Sequence, residues 1–266
     1  MWTTIALLSV LAVAPAQADL SLTNVHSTHG LLGPQRQDDT LAPGDMLFVC
    51  FDIEGIRIDE EGKVRYSMAI ELSDASGKVV FRQAPKEKEA RASLGGASVP
   101  AFARLNVGLD TPRGDYQMKI TVKDLASGRE QSLTRGLKVL AKSFALVRTT
   151  VTLDTDAHYS AAVFTCGQGV WVQSSAVGFA QDRGKKPKLV FEMRVLDEVG
   201  RPTLAKSVTG MPPKELPGNL SGLPLAFPLT LNRAGKFTVE LQASDQVSGK
   251  KARIAIPILV QVAPKG

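Results

Sequence analysis

Three histidines and two cysteines are present in the 266 residues, so metal and thiol chemistry has few places to reside. His26-Ser27-Thr28-His29 sets two imidazoles three positions apart. On a helix that spacing puts both on one face; on a strand it puts them on opposite faces, and this stretch reads as strand or loop. Asp154, Asp156 and His158 form a second polar cluster in the corresponding part of the chain's second half. These five residues are the candidate metal ligands, although a zinc ion would need its set completed from elsewhere. The plainer alternative is polar side chains on a first strand and its loop. Asp154-Thr155-Asp156 and Asp59-Glu60-Glu61 could lend oxygens to calcium, but neither completes a calcium-loop motif.

Cys50 and Cys166 fall one in each half at unmatched positions. A bridge within either half is therefore excluded, which leaves a bridge between halves or two unpaired thiols. The densest charge feature is Arg183-Gly184-Lys185-Lys186-Pro187-Lys188, where Arg183, Lys185, Lys186 and Lys188 make a candidate anion-binding loop. The alternative is a solvated hairpin. The loop lacks the interleaved aromatics on which bases stack. Trp171 reads as a core aromatic rather than a sugar platform. No nucleophile elbow, zinc-protease helix, phosphate loop or dinucleotide fingerprint is present in the sequence. The sequence implies no cofactor and, by this reading, no enzyme.

The elements that must carry these residues come from an internal duplication. Asp74-Ala75-Ser76-Gly77 lies 123 positions before Asp197-Glu198-Val199-Gly200, and the same offset pairs Gly44 with Gly167 and Gly55 with Gly178. An offset of 124 pairs Leu105 with Leu229, and one of 121 pairs Asp124, Ser127 and Gly128 with Asp245, Ser248 and Gly249. The matches are colinear, with small insertions between them. Each half alternates apolar and polar residues with period two, as in Tyr66, Met68, Ile70 and Leu72, answered by Leu189, Phe191, Met193 and Val195. Glycine turns punctuate these runs, and no stretch has a sustained helical period. The expectation is an all-β chain of two tandem antiparallel immunoglobulin-like β-sandwich domains related by internal duplication. They would occupy residues 19–142 and 143–266, with the boundary near Lys142. Pro257 interrupts the last strand, which predicts an edge position or a bulge there.

Residues 5–14 are an almost unbroken apolar run, too short to span a bilayer, followed by Pro15 and the A-x-A signal Ala16-Gln17-Ala18. Residues 1–18 therefore read as a cleaved export signal, although the n-region lacks the usual Lys or Arg. The formal charge is +6, which favours anionic partners. With export, this points to an envelope protein or an acidic polysaccharide, without nucleic acid or a transmembrane anchor, and leaves room for weak membrane-surface contact. Simple solubility would explain the same charge.

The turn run Pro112-Arg113-Gly114-Asp115-Tyr116 with Asp124-Leu125-Ala126-Ser127-Gly128 repeats as Arg233-Ala234-Gly235-Lys236-Phe237 with Asp245-Gln246-Val247-Ser248-Gly249. It resembles the penultimate hairpin of bacterial secreted Ig-like and macroglobulin-like repeats, and Asp197-Glu198-Val199-Gly200-Arg201-Pro202 resembles their earlier D-x-x-G-x-P turn. The resemblance implies fold and location and carries no catalytic residue. The expected function is an exported, non-enzymatic binding or scaffold protein of the periplasm, cell envelope or extracellular space. Two further expectations are a two-domain periplasmic chaperone, which would need an unpaired edge strand, and a hydrolase built on clustered carboxylates.

Overall fold

The computed structural model describes residues 19–156, 159–211 and 221–262. The proposed export signal at 1–18 lies outside the described residues, as does His158. The described residues contain sixteen strands and no helix. The first half holds β1 (Ser21–Thr28), β2 (Thr40–Leu41), β3 (Met46–Glu54), β4 (Lys63–Asp74), β5 (Val79–Arg91), β6 (Ser98–Asn106), β7 (Gly114–Asp124) and β8 (Glu130–Val139). The second holds β9 (Ala145–Thr152), β10 (Val163–Thr165), β11 (Gly169–Val177), β12 (Leu189–Leu196), β13 (Val208–Gly210), β14 (Gly222–Thr230), β15 (Gly235–Asp245) and β16 (Lys251–Gln261).

Each half is a β-sandwich of one three-stranded and one five-stranded sheet. Their orders are β1-β3-β6 and β2-β8-β7-β4-β5 in copy one, and β9-β11-β14 and β10-β16-β15-β12-β13 in copy two. The two copies thus share one strand order. Both are antiparallel except for one short parallel pair each, β2 with β8 and β10 with β16. Period-two alternation selects the faces that meet. Val64, Tyr66, Met68, Ile70 and Leu72 of β4 enter one core with Leu47, Val49, Phe51 and Ile53 of β3. Leu189, Phe191 and Met193 enter the other with Val170, Val172 and Ala176. The first core ends at Val139 and the second begins at Phe144. Pro257 sits where β16 has β15 on one side, and β10 pairs only with residues 259–261 on the other. Its missing N–H therefore meets an edge, as a proline in a strand requires.

Three aspartates per copy set the turns. Asp59, Asp74 and Asp124 recur as Asp182, Asp197 and Asp245. In each, a carboxylate oxygen accepts the backbone N–H two residues on. In the four outer turns it also accepts the N–H four residues on. Asp124 and Asp245 are buried. Asp124 Oδ2 accepts Arg57 N at 3.1 Å and the Ser127 hydroxyl, while Asp245 Oδ2 accepts Ala180 N at 2.9 Å and the Ser248 hydroxyl. Each thus ties the β7–β8 or β15–β16 hairpin to the crossing between the two sheets. Burial alone would raise these carboxyls, but the hydrogen bonds win and hold both below the usual range.

The start of β7 is fixed differently in the two copies. Tyr116 donates its hydroxyl to Pro112 O at 2.8 Å. Phe237 stands at the matching place, with the Arg233 guanidinium 5.1 Å over its ring. An oriented cation–π contact replaces the hydrogen bond.

Asp124→Asn turns an NH2 group toward N–H and O–H donors, because both oxygens of the native carboxylate are engaged. A loss of about 2–3 kcal/mol in urea unfolding at neutral pH is expected, with the same direction for Asp245→Asn. A loss below about 0.5 kcal/mol would contradict the assigned role.

Candidate functional site

Among the described residues, His26, His29, Asp154 and Asp156 do not converge on one site. His26 lies on β1, and its Nδ1 is 2.7 Å from Asn24 O. His29 lies beyond the end of β1, buried against the other half of the chain. Asp154 closes a local turn, accepting Asp156 N at 2.8 Å and Tyr159 N at 2.9 Å. Among the described residues no group of three or more metal-ligating side chains forms. Cys50 and Cys166 are free thiols; Cys50 is buried, with its sulfur 3.6 Å from Thr28 Oγ1. The register sets Cys50 directly beside His26 on one side and Phe102 on the other.

The basic loop is an exposed turn built on Asp182, with the geometry of the acidic turn at Asp59. Asp182 Oδ1 accepts Gly184 N and Lys186 N at 2.9 and 3.0 Å, and Lys188 Nζ stands 3.3 Å from Oδ2. The Lys186 N–H is the main cause holding the Asp182 carboxyl below its ordinary value. Lys185 takes φ +59° where copy one has Gly62 at +75°. Arg183, Lys185 and Lys186 therefore project from one tight turn into solvent, while Lys188 pairs with Asp182 of the same turn.

Two features that motif reading missed stand out. The first is the joint between the modules. Asn24 and Arg148 occupy matched bulges in β1 and β9, at φ 49° and 52°. In copy one Asn24 Nδ2 donates to Asp52 at 3.2 Å within its own sheet. In copy two Arg148 instead reaches the other module. Its N donates to Asp45 Oδ1 at 2.7 Å and its Nε to Gly44 O at 3.0 Å. Asp45 is buried, and Arg36 Nη2 lies 3.2 Å from its other oxygen. Thr150 Oγ1 donates to His29 O at 3.1 Å, and the Ser160 hydroxyl donates to Leu31 O. A Cβ on Gly30, at φ +81°, would collide with Thr150 Oγ1, so the approach requires glycine there. The joint residues are not repeated, since Asp45 matches Gln168. That departure between the halves was the signal available in the sequence.

The second feature is a groove of about 740 Å³ at the end of copy two farthest along β12 from the basic loop. Its floor includes Val195, Leu229, Phe237 and Val260, and its rim carries Arg201, Lys206 and Arg233. In copy one the matched core residues Leu72, Leu105 and Tyr116 are buried, whereas Val195, Leu229 and Phe237 are only half-buried. The edge strand explains the difference. β5 pairs with β4 along nearly its whole length, but β13 holds β12 only at residues 191–193. One isolated bridge, Leu196 with Pro202, follows, and exposed Leu204 and Lys206 loop out between. The signals in the sequence were Arg233 in place of Pro112 and Phe237 in place of Tyr116.

No protein-family model matches this chain, and no curated protein matches it.

His29 supplies a pH test of the joint. Desolvation, followed by the Arg36 charge, lowers its pKa to about 4, against partial opposition from Asp45, a hydrogen bond to the Thr149 backbone, and Asp38. The unfolded chain takes up this proton near pH 6.5 and the folded chain resists it. Stability is therefore full above about pH 6.5 and declines as pH falls toward 4, by on the order of 3 kcal/mol. The turn aspartates, with pKa lowered in the fold, add their loss only below about 3.8. Thermal melts of wild type and His29→Gln between pH 7.5 and 4.5 check this. The wild-type slope in that window should flatten in the variant, and equal slopes would refute it.

Proposed function

We propose that this is an exported, non-enzymatic binding and scaffold protein of the periplasm, cell envelope or extracellular space. It consists of two immunoglobulin-like sandwiches, residues 19–142 and 143–266, behind a cleaved signal at residues 1–18. The joint is the observation that carries the reading. Asp45 is held between Arg36 of its own module and the Arg148 backbone of the other. Such a joint lets a duplicated module present surfaces at a set distance and angle, which a scaffold needs and two freely hinged domains lack. The immunoglobulin-like assignment is supported by the three-plus-five strand order and by the Tyr116 hydroxyl returning to Pro112 O at the start of β7, a corner common in such sandwiches. Export rests on residues 5–14 and on Ala16-Gln17-Ala18. The partner class is an envelope protein or acidic polysaccharide, favoured by the charge of +6 and by the exposed turn carrying Arg183, Lys185 and Lys186.

Small-angle scattering of the full chain tests the scaffold. Wild type should fit one interdomain arrangement, and Asp45→Ala should need a spread of arrangements. A wild-type curve that already needs the spread removes the reading.

Retention on alginate at low ionic strength tests the partner class. Lys185→Glu with Lys186→Glu should elute the protein at clearly lower salt. Equal elution would assign the binding elsewhere, and no wild-type retention would eliminate the polysaccharide.

A further inference from the structure

We infer that the groove at the end of copy two binds a single-tailed amphipathic anion, an acyl chain ending in one carboxylate. This deepens the binding-protein reading and rests on it for the premise that copy two carries a ligand. Three observations converge.

The floor is apolar and drawn from the core itself. Val195, Leu229 and Phe237 are the positions that copy one buries as Leu72, Leu105 and Tyr116. Leaving apolar core positions half-exposed costs free energy in proportion to the area left wet. Copy one has a groove of about 610 Å³ at the matching place but keeps these three positions buried, so their exposure in copy two follows from the divergent edge between Thr203 and Val208 and is not required by the topology.

The rim has changed sign. In copy two it carries Arg201, Lys206 and Arg233 against the single carboxylate Asp197. The corresponding groove in copy one carries Arg113 against Asp74 and Asp115. Arg201 is engaged with Asp197 at 3.1 Å and Arg233 lies over Phe237, so both guanidinium groups are held at the groove rather than extended from it. Arg233 matches Pro112, so one of these charges arose where the other copy has none.

The dimensions suit a small amphiphile. A volume of about 740 Å³ lies within the range of small-molecule pockets, which are typically apolar with a few placed polar groups. An apolar floor takes the tail, and a cationic rim meets the head near solvent, where it need not be fully desolvated. A neutral lipid would leave the rim unused, and a compact anion such as phosphate would leave the floor uncovered.

Isothermal titration of the full chain with three probes tests this: dodecanoate, dodecyltrimethylammonium and acetate. Dodecanoate should bind at one site, the cation of equal tail length several-fold more weakly, and acetate not measurably. Lys206→Glu, an exposed change on the looped edge, should weaken dodecanoate by about fivefold and strengthen dodecyltrimethylammonium. Arg113→Glu in copy one should leave both unchanged. Amide shifts on adding dodecanoate should centre on Val195, Leu229 and Phe237, which gives a second readout should a charge variant fold poorly. Equal affinity for the two long-tailed probes, insensitivity to Lys206→Glu, shifts centred on copy one, or no binding at all would each overturn the inference. None of these outcomes would alter the scattering result at the joint, so the scaffold reading stands or falls separately.

Discussion

A buried carboxylate in each module organises what surrounds it. Asp124 and Asp245 sit at the turn between the last two strands, out of contact with water. A charge in that position is tolerable only when its oxygens are filled with donors. The donors come from two directions: the turn's own amides and hydroxyl, and the backbone at Arg57 or Ala180, where the chain crosses from one sheet to the other. One side chain therefore fixes a hairpin and aligns the two layers. In copy one Arg129 adds a second tie, donating to Gly55 O at 2.6 Å. Both layers must be set before the faces of β3 and β4, or of β11 and β12, can interdigitate. The four outer aspartates do the local part of the same work, shaping exposed turns without joining layers.

Against this shared frame the two copies diverge where function would be placed. A bulge in the first strand is present in both, but the residue at its left-handed position serves different ends. Asn24 stays within its own sheet, while Arg148 crosses to the other module. A backbone irregularity that re-aims a side chain has become the joint. The buried imidazole of His29 lies beside it, with Nδ1 unpartnered. That couples the joint to proton concentration below neutrality.

The far end of copy two departs in a complementary way. Its edge strand is interrupted, the core is left open, and cations gather at the opening. The corresponding end of copy one meets the joint, where Val177 of the second module comes close to Gly44. Both ends carry a groove, but only in copy two are its core positions half-exposed and its rim cationic.

The sequence by itself determined the all-β class, the two-fold repetition and the core faces, because alternation of side chains along a strand is a local property of the backbone. Leu189, Phe191 and Met193 could be assigned inward from spacing alone. The turns at Asp74 and Asp124 were legible for the same reason, since the amides that close them lie within four residues, although the Arg57 amide that Asp124 also accepts was not. The acids at Asp59 and Asp154 looked available for calcium, yet each accepts amides of its own turn. Only the tertiary structure decided which carboxylates are engaged from a distance, as Asp124 is by Arg57 and Asp45 by Arg148. The joint and the groove were equally hidden. Arg148 and Asp45 are 103 residues apart, and Val195 and Phe237 line one groove only because β12 pairs with the distant β15. Period and spacing act over a few residues, whereas these sites depend on contacts between distant elements, so a single chain read linearly showed only that Arg233 and Phe237 differ from Pro112 and Tyr116.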